Sequence, residues 1–95
     1  MSESRAFRFS VPGEHPCLPG HFPGRPVVPG VVLLDRVMAA AGLAGAARLP
    51  SAKFLRPVLP GEEVLVELRP LEGGRLGFTA HVGGELAFRG EVAPP

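Results

Sequence analysis

The chain has no tryptophan and no tyrosine, and its six aromatic residues are all phenylalanine. A core built from it therefore rests on Val, Leu and Ala packed around a few Phe rings. Cysteine is nearly absent too: Cys17 stands alone, so no intrachain disulfide can form, which suits a reducing compartment. Charge of one sign is also missing. The formal net charge is +1, with Lys and Arg scattered singly, and such a chain lacks the clustered basic face that a phosphate backbone requires. Nucleic acid is excluded as a partner on that ground. Long apolar runs are lacking as well, because Asp35 and Arg36 interrupt the longest one, and the opening MSESRAFRF has no apolar core of a signal peptide. Neither a membrane span nor a leader is readable, and the expected location is the cytoplasm. No repeat, linker or low-complexity segment divides the sequence, so residues 1–95 read as a single domain. At this size a domain buries only about 60 to 65% of the surface its unfolded chain exposes, and would be marginal alone.

What is present is patterned. Ala6 to Val11 alternates, with Phe7, Phe9 and Val11 on one side and Arg8 and Ser10 on the other, which predicts a half-buried first strand. Residues 12–30 then carry Pro12, Pro16, Pro19, Pro23, Pro26 and Pro29 among Gly13, Gly20, Gly24 and Gly30, so neither a long helix nor a ladder can form there. A loop of that length in a small domain is usually functional, and its prolines narrow the paths open to it. From Gly30 to about Arg48 the sequence VVLLDRVMAAAGLAGAAR predicts a helix of about 18 residues, near 27 Å long, apolar on almost every face. Such a helix has to be enclosed, and Pro50 forbids extending it.

The remainder reads as antiparallel sheet. Residues 51–58 predict a strand around Phe54, and Pro60-Gly61 suits a type II turn into Glu63–Arg69, where Val64, Val66 and Leu68 share a face. Glu72-Gly73-Gly74 is the next reversal. Leu76, Phe78, Ala80 and Val82 then share a face, Gly83-Gly84 makes a two-residue hairpin, and Leu86, Phe88, Gly90 and Val92 form the answering face. The expectation is an α+β fold, with about five strands around one central apolar helix. One curved sheet covers one side of that helix, and a second copy of the chain is the expected cover for the other.

Three residues around the proline loop have the chemistry of a site. His21 and Asp35 can exchange protons, and Gly30 lies at a helix start, where unpaired backbone N–H groups can polarise a carbonyl oxygen. Each also has a plainer reading: His21 as a surface or structural hydrogen-bonding residue, Asp35 as a carboxylate paired with Arg36 or solvent, Gly30 as a turn residue. His15, Cys17 and His21 are metal-ligand types, but three on a proline-broken loop with no second cluster do not make a zinc site, and no metal or cofactor is expected. Cys17 has no neighbour placed to stabilise a thiolate. His81 falls on the outward face of its strand, and Lys53, Arg56 and Arg69 read as a solvated sheet face.

The run His21-Phe22-Pro23-Gly24, then Pro26-Val27-Val28-Pro29-Gly30-Val31, with an acid fourteen positions after the histidine, resembles the signature of the β-hydroxyacyl-acyl carrier protein dehydratases. Lys53-Phe54-Leu55-Arg56-Pro57-Val58-Leu59-Pro60-Gly61-Glu62 is similar to that family's strand and turn after its central helix. The resemblance covers roughly residues 7–92 and implies the hot-dog fold. It also implies dehydration of (3R)-hydroxyacyl thioesters, carried on acyl carrier protein, to trans-2-enoyl thioesters in fatty acid or related acyl-chain biosynthesis. By the same resemblance His21 removes the α-proton, Asp35 helps the β-hydroxyl leave as water, and the Gly30 amide holds the thioester oxygen. The family's sites are shared between the two subunits of a dimer, beside a tunnel for the acyl chain. A homodimer, or a higher oligomer of dimers, is therefore the expected assembly. Two features depart from the pattern. Ala39 stands where the family usually has a glutamine that orients the acid, and the acid is Asp, as in the subgroup that also isomerises its products. Two other readings stand beside this one: a hot-dog acyl thioesterase, and a non-catalytic acyl-binding subunit in a heterodimer with an active relative.

Overall fold

The computed structural model describes residues 5–12, 27–42 and 48–93. Strand β1 (Arg5–Phe9) precedes helix α1 (Gly30–Ala40), and four strands follow: β2 (Arg48–Phe54), β3 (Val64–Pro70), β4 (Leu76–Val82) and β5 (Glu85–Ala93). They form one antiparallel sheet in the order β1-β3-β4-β5-β2, so β1 and β2 are its edges. The proline loop before α1 and the segment after it lie largely outside the described residues, and His15, Cys17 and His21 are among the residues outside.

The period-2 pattern of the strands sets the two faces of the sheet. Val64, Val66 and Leu68 of β3 and Phe78, Ala80 and Val82 of β4 are all buried, as the alternation predicts. Phe7 and Phe9, paired with Val66 and Val64, pack against the same core. Turn chemistry fixes the register. Pro60-Gly61 forms the predicted reversal, with Glu62 N–H donating to the Leu59 carbonyl at 3.2 Å and Gly61 at φ 85°. The Gly61 N–H donates to the Val11 carbonyl at 2.8 Å, tying this turn to the end of the first strand segment.

In β5 the face differs from the predicted one. Ala80 pairs with Phe88 but His81 pairs with Leu86, so Ala87 is an extra residue in β5 and the ladder shifts there. Leu86 consequently shares the outward face with His81, while Ala87 and Phe88 are both buried. A bulge of this kind is invisible to a period-2 count. The Ala87 carbonyl accepts the N–H groups of Leu55 and Arg56 at 2.8 and 3.2 Å, which continues the β2–β5 pairing past Phe54.

The helix is shorter than predicted, 11 residues against about 18, or about 16 Å long. It stops because Gly42 adopts φ 77°, a left-handed conformation open to a residue without Cβ, and the Ala41 and Gly42 N–H groups turn back onto the Val37 and Ala39 carbonyls. The chain then enters β2 at Arg48, ahead of the predicted start at residue 51, with an irregular register between Arg48 and Ser51 where Pro50 has no N–H for the ladder. Val32, Leu33 and Val37 of α1 are buried with the sheet residues in one cluster, and Leu34, Met38 and Ala41 pack against it. Each fully buried side chain of this size contributes about 1.5 to 3 kcal/mol. The opposite stripe, Val31, Asp35 and Ala39, is exposed in the single chain. Arg36 lies beside it with its guanidinium carbon 5.6 Å from the centre of the Phe9 ring.

Two strand glycines meet different surroundings. A Cβ on Gly90 would lie 2.3 Å from the Ser51 carbonyl oxygen and 2.8 Å from Phe78 Cζ, so β2 closes over β5 only because that atom is missing. On Gly77 the nearest atom would be Leu71 Cδ1 at 3.4 Å. Gly90→Ala is therefore expected to cost about 1 to 3 kcal/mol through forced displacement of backbone, whereas Gly77→Ala stays within about 1 kcal/mol of the parent. Urea denaturation of both variants checks this, and equal midpoints would contradict it.

Candidate active site

The site begins where the proline loop becomes a helix. Pro29 is extended, at φ −60° and ψ 143°, and its carbonyl accepts the N–H groups of Val32 and Leu33 at 3.0 and 3.3 Å. Gly30 is the first helical residue, and the first N–H groups of a helix have no partner within it. The aligned peptide dipoles also give that end partial positive charge. An oxygen acquiring negative charge is favoured there over a neutral one.

A cavity of about 370 Å³ opens at this point, walled on one side by Val27, Val28, Gly30 and Leu33 and on the other by the chain leaving β2, Phe54 to Val58. The walls are joined by a hydrogen bond from the Val28 N–H to the Val58 carbonyl, 2.9 Å. Bonds from Leu55 and Arg56 to Ala87 fix the second wall to the bulge in β5. Apart from Arg56 its side chains are apolar. Such a lining suits an apolar ligand segment.

Phe54 packs against Gly30 from the opposite wall. A Cβ on Gly30 would lie 2.9, 3.2 and 3.4 Å from Cζ, Cε2 and Cε1 of the ring, so the ring tip rests directly against the bare Cα. The other end of the ring packs on Phe88 with centroids 5.4 Å apart, and Phe88 meets Phe78 edge-on at 6.2 Å. Gly30 is thus more than a turn residue, because any side chain there would displace Phe54. The sequence placed Phe54 only at the centre of a strand. The motif running from Lys53 to Glu62 is the one signal that could have brought it to the site.

Arg56 corrects a second expectation. It is not part of a solvated sheet face: its guanidinium meets both Glu62 carboxylate oxygens at 3.1 and 3.2 Å and approaches Glu85 at 3.5 Å. Its Nε donates to the Pro57 carbonyl at 3.1 Å, and Glu62 also accepts the Leu59 N–H at 2.8 Å. The arginine therefore braces the cavity's second wall. Lys53 and Arg69 do lie exposed on the outward face of the sheet, and His81 is half-buried on that face, as expected.

Asp35 lies about 7.5 Å along α1 from Gly30 and on the outward stripe with Val31 and Ala39. It does not line the cavity at Gly30. One chain thus brings Gly30 to the apolar cavity and leaves Asp35 facing away from the core, one turn before Ala39. Among the described residues no group of His, Cys, Asp and Glu could hold a metal ion. No helix among them is long and apolar enough to cross a membrane.

Comparison with known proteins decides what this arrangement belongs to. The model of the ApeI-like family, described as ApeI dehydratase, matches residues 1–91. The chain belongs to the ApeI-like dehydratase family. It is similar to the 3-hydroxyacyl-acyl-carrier-protein dehydratase FabZ of Pelotomaculum thermopropionicum, 37% identical over 100 aligned positions that cover 87% of this chain and 71% of that protein. To FabZ of Haemophilus influenzae it is 34% identical over 91 positions, covering 82% of this chain and 60% of that protein. The chain thus spans about 60 to 70% of the length of these relatives. Among solved structures it is similar to the dehydratase heterocomplex ApeI:P from Xenorhabdus doucetiae, with TM-score 0.80, 25% identity, and coverage of 95% of this chain and 85% of that one. The five-stranded antiparallel sheet with its single helix is the hot-dog fold. The ApeI-like chain is thus a member of a family of lyases that remove water, as its motifs imply.

Bracing by Glu62 generates a prediction. Removing the carboxylate in Glu62→Ala leaves Arg56 and the Leu59 N–H without it and is expected to cost about 1 to 2 kcal/mol. Glu85→Ala removes a carboxylate that is 71% exposed and should cost under about 0.5 kcal/mol. Thermal melts of the two variants side by side measure the difference.

Proposed function

We propose that this ApeI-like chain dehydrates (3R)-hydroxyacyl thioesters on acyl carrier protein to trans-2-enoyl thioesters, in fatty acid or related acyl-chain biosynthesis in the cytoplasm. The observation that carries the proposal is the Gly30 amide at the start of α1, opening into an apolar cavity. Taking the α-proton of a thioester moves charge onto its carbonyl oxygen, and a fixed N–H donor there acts where charge develops. In this reading His21 accepts the proton from Cα, and the electrons of that bond form the Cα=Cβ double bond. The Cβ–O bond breaks, and the hydroxyl leaves with a proton from Asp35 as water. Solvent then returns the proton from His21 to Asp35, so the net change is loss of one water. Neutral imidazole, with an ordinary pKa near 6.5, is a suitable base at neutral pH. The substrate test is incubation with a series of 3-hydroxyacyl carrier-protein thioesters followed by mass analysis. Loss of water supports the dehydratase, whereas release of free carrier thiol would make the chain a thioesterase.

His21 and Asp35 serving one transition state has its own consequence. Either His21→Ala or Asp35→Asn is expected to lower the dehydration rate by about 10² to 10⁴-fold. The double variant should be little slower than the worse single one, since groups that act as a unit lose their effects non-additively. Survival of the rate within about threefold in both, far short of that range, would make the two residues structural.

The exposed stripe of α1 and the edge position of β2 among the described residues support assembly as a twofold dimer in which a second chain covers Asp35. Ala39 in place of the family glutamine supports a second reading, in which the covering chain is a different, active relative; the Xenorhabdus neighbour is itself a heterocomplex. Light scattering and single-chain assays separate the two. A dimer active by itself is the expected result, an inactive chain that gains activity on adding a relative supports the second reading, and a stable active monomer would refute both.

A further inference from the structure

Resting on the acyl-thioester reading of the Gly30 cavity, we propose that Phe54 is the residue that sets the shape of acyl group this site admits, accepting unbranched chains and refusing a branch next to the thioester. Three facts converge on it. The ring tip packs on the bare Cα of Gly30 and both residues line the cavity, so an acyl group held at the start of α1 lies beside the ring. The ring cannot retreat into the core, because its inner side is occupied by Phe88, itself fully buried and backed by Phe78. Yet Phe54 is 45% exposed in the single chain, more than either other ring of this aromatic row, and it lines the cavity. A flat aromatic face beside the carbonyl leaves room for a methylene chain lying along it. It leaves none for a methyl group standing out from the α-carbon unless the ring moves.

A residue that merely held the fold would, on truncation, weaken all ligands alike. A residue that selects shape changes their ratio. The experiment compares the parent with Phe54→Ala and Phe54→Leu on 3-hydroxybutyryl and 2-methyl-3-hydroxybutyryl thioesters of pantetheine, reading kcat/KM for each. Phe54→Ala is expected to raise the branched-to-straight ratio by about tenfold or more, the usual worth of room for one methyl group, and Phe54→Leu to give an intermediate ratio. A ratio unchanged within twofold in a folded Phe54→Ala would overturn the proposal.

Binding separates this proposal from the reaction itself. Calorimetric titration with butyryl and 2-methylbutyryl pantetheine amides, which can neither lose water nor be hydrolysed at a thioester, reads acyl selection even in a chain that catalyses nothing. Preference for the straight amide in the parent, lost in Phe54→Ala, sustains the role of Phe54 whatever becomes of the dehydratase reading. Equal affinity of the parent for both amides, or a preference that survives the substitution, refutes it. Should Phe54→Ala fail to fold, Phe54→Leu keeps an apolar side chain of similar reach and carries both measurements.

Discussion

The packing of one face of α1 onto the sheet is the constraint from which the rest follows. Val32, Leu33 and Val37 are buried against strands whose inward residues, Val64, Val66, Phe78, Ala80 and Phe88, leave no comparable alternative partner for them. Holding that face inward fixes the rotation of the helix about its axis. Asp35 and Ala39 are then turned outward together, because residues four apart lie on one stripe. It also fixes where the helix begins, and so where the Gly30 amide points. A helix buried on all sides, as the composition suggests, would have left no outward stripe for a second chain to cover.

The second wall of the cavity is anchored on β5. The Ala87 carbonyl, at the bulge, accepts the N–H groups of Leu55 and Arg56 and so carries the β2–β5 pairing past Phe54. That anchor brings Phe54 over Gly30 and sets Arg56 where Glu62 and Glu85 can hold it. A bulge near a binding cavity is a common device for re-aiming a side chain or strand beside it. The ring of Phe54, rather than a backbone group, lies against the start of α1. Relatives share the sheet and the helix, and the details that tune a site are of this smaller scale.

Much of the fold was legible because its signals are local. The alternation of Val64, Val66 and Leu68, the Pro60-Gly61 and Gly83-Gly84 turns and the helix start at Gly30 each involve residues a few positions apart, and each is found where the pattern puts it. The helix was read too long for a physical reason: Ala and Leu after residue 42 favour a helix by propensity, but Gly42 is free to take a left-handed conformation and ends it. Leu86 was read onto the wrong face because one inserted residue reverses the parity of everything beyond it. Arg56 looked like any surface arginine, since Glu85, one of its carboxylate partners, lies far along the chain.

The sequence by itself determined the class of fold and the family, since the period of apolar residues, the turn glycines and the motif from His21 to Asp35 are all written along the chain. Only the tertiary structure decided that Gly30 must lack a side chain because Phe54 occupies its space, that Gly90 must lack one because β2 crosses it, and that Asp35 turns away from the cavity of its own chain. The physical reason is distance along the chain. A contact between residues 24 or 39 positions apart exists only once the sheet has closed, and no local preference for helix, strand or turn encodes which atoms then meet.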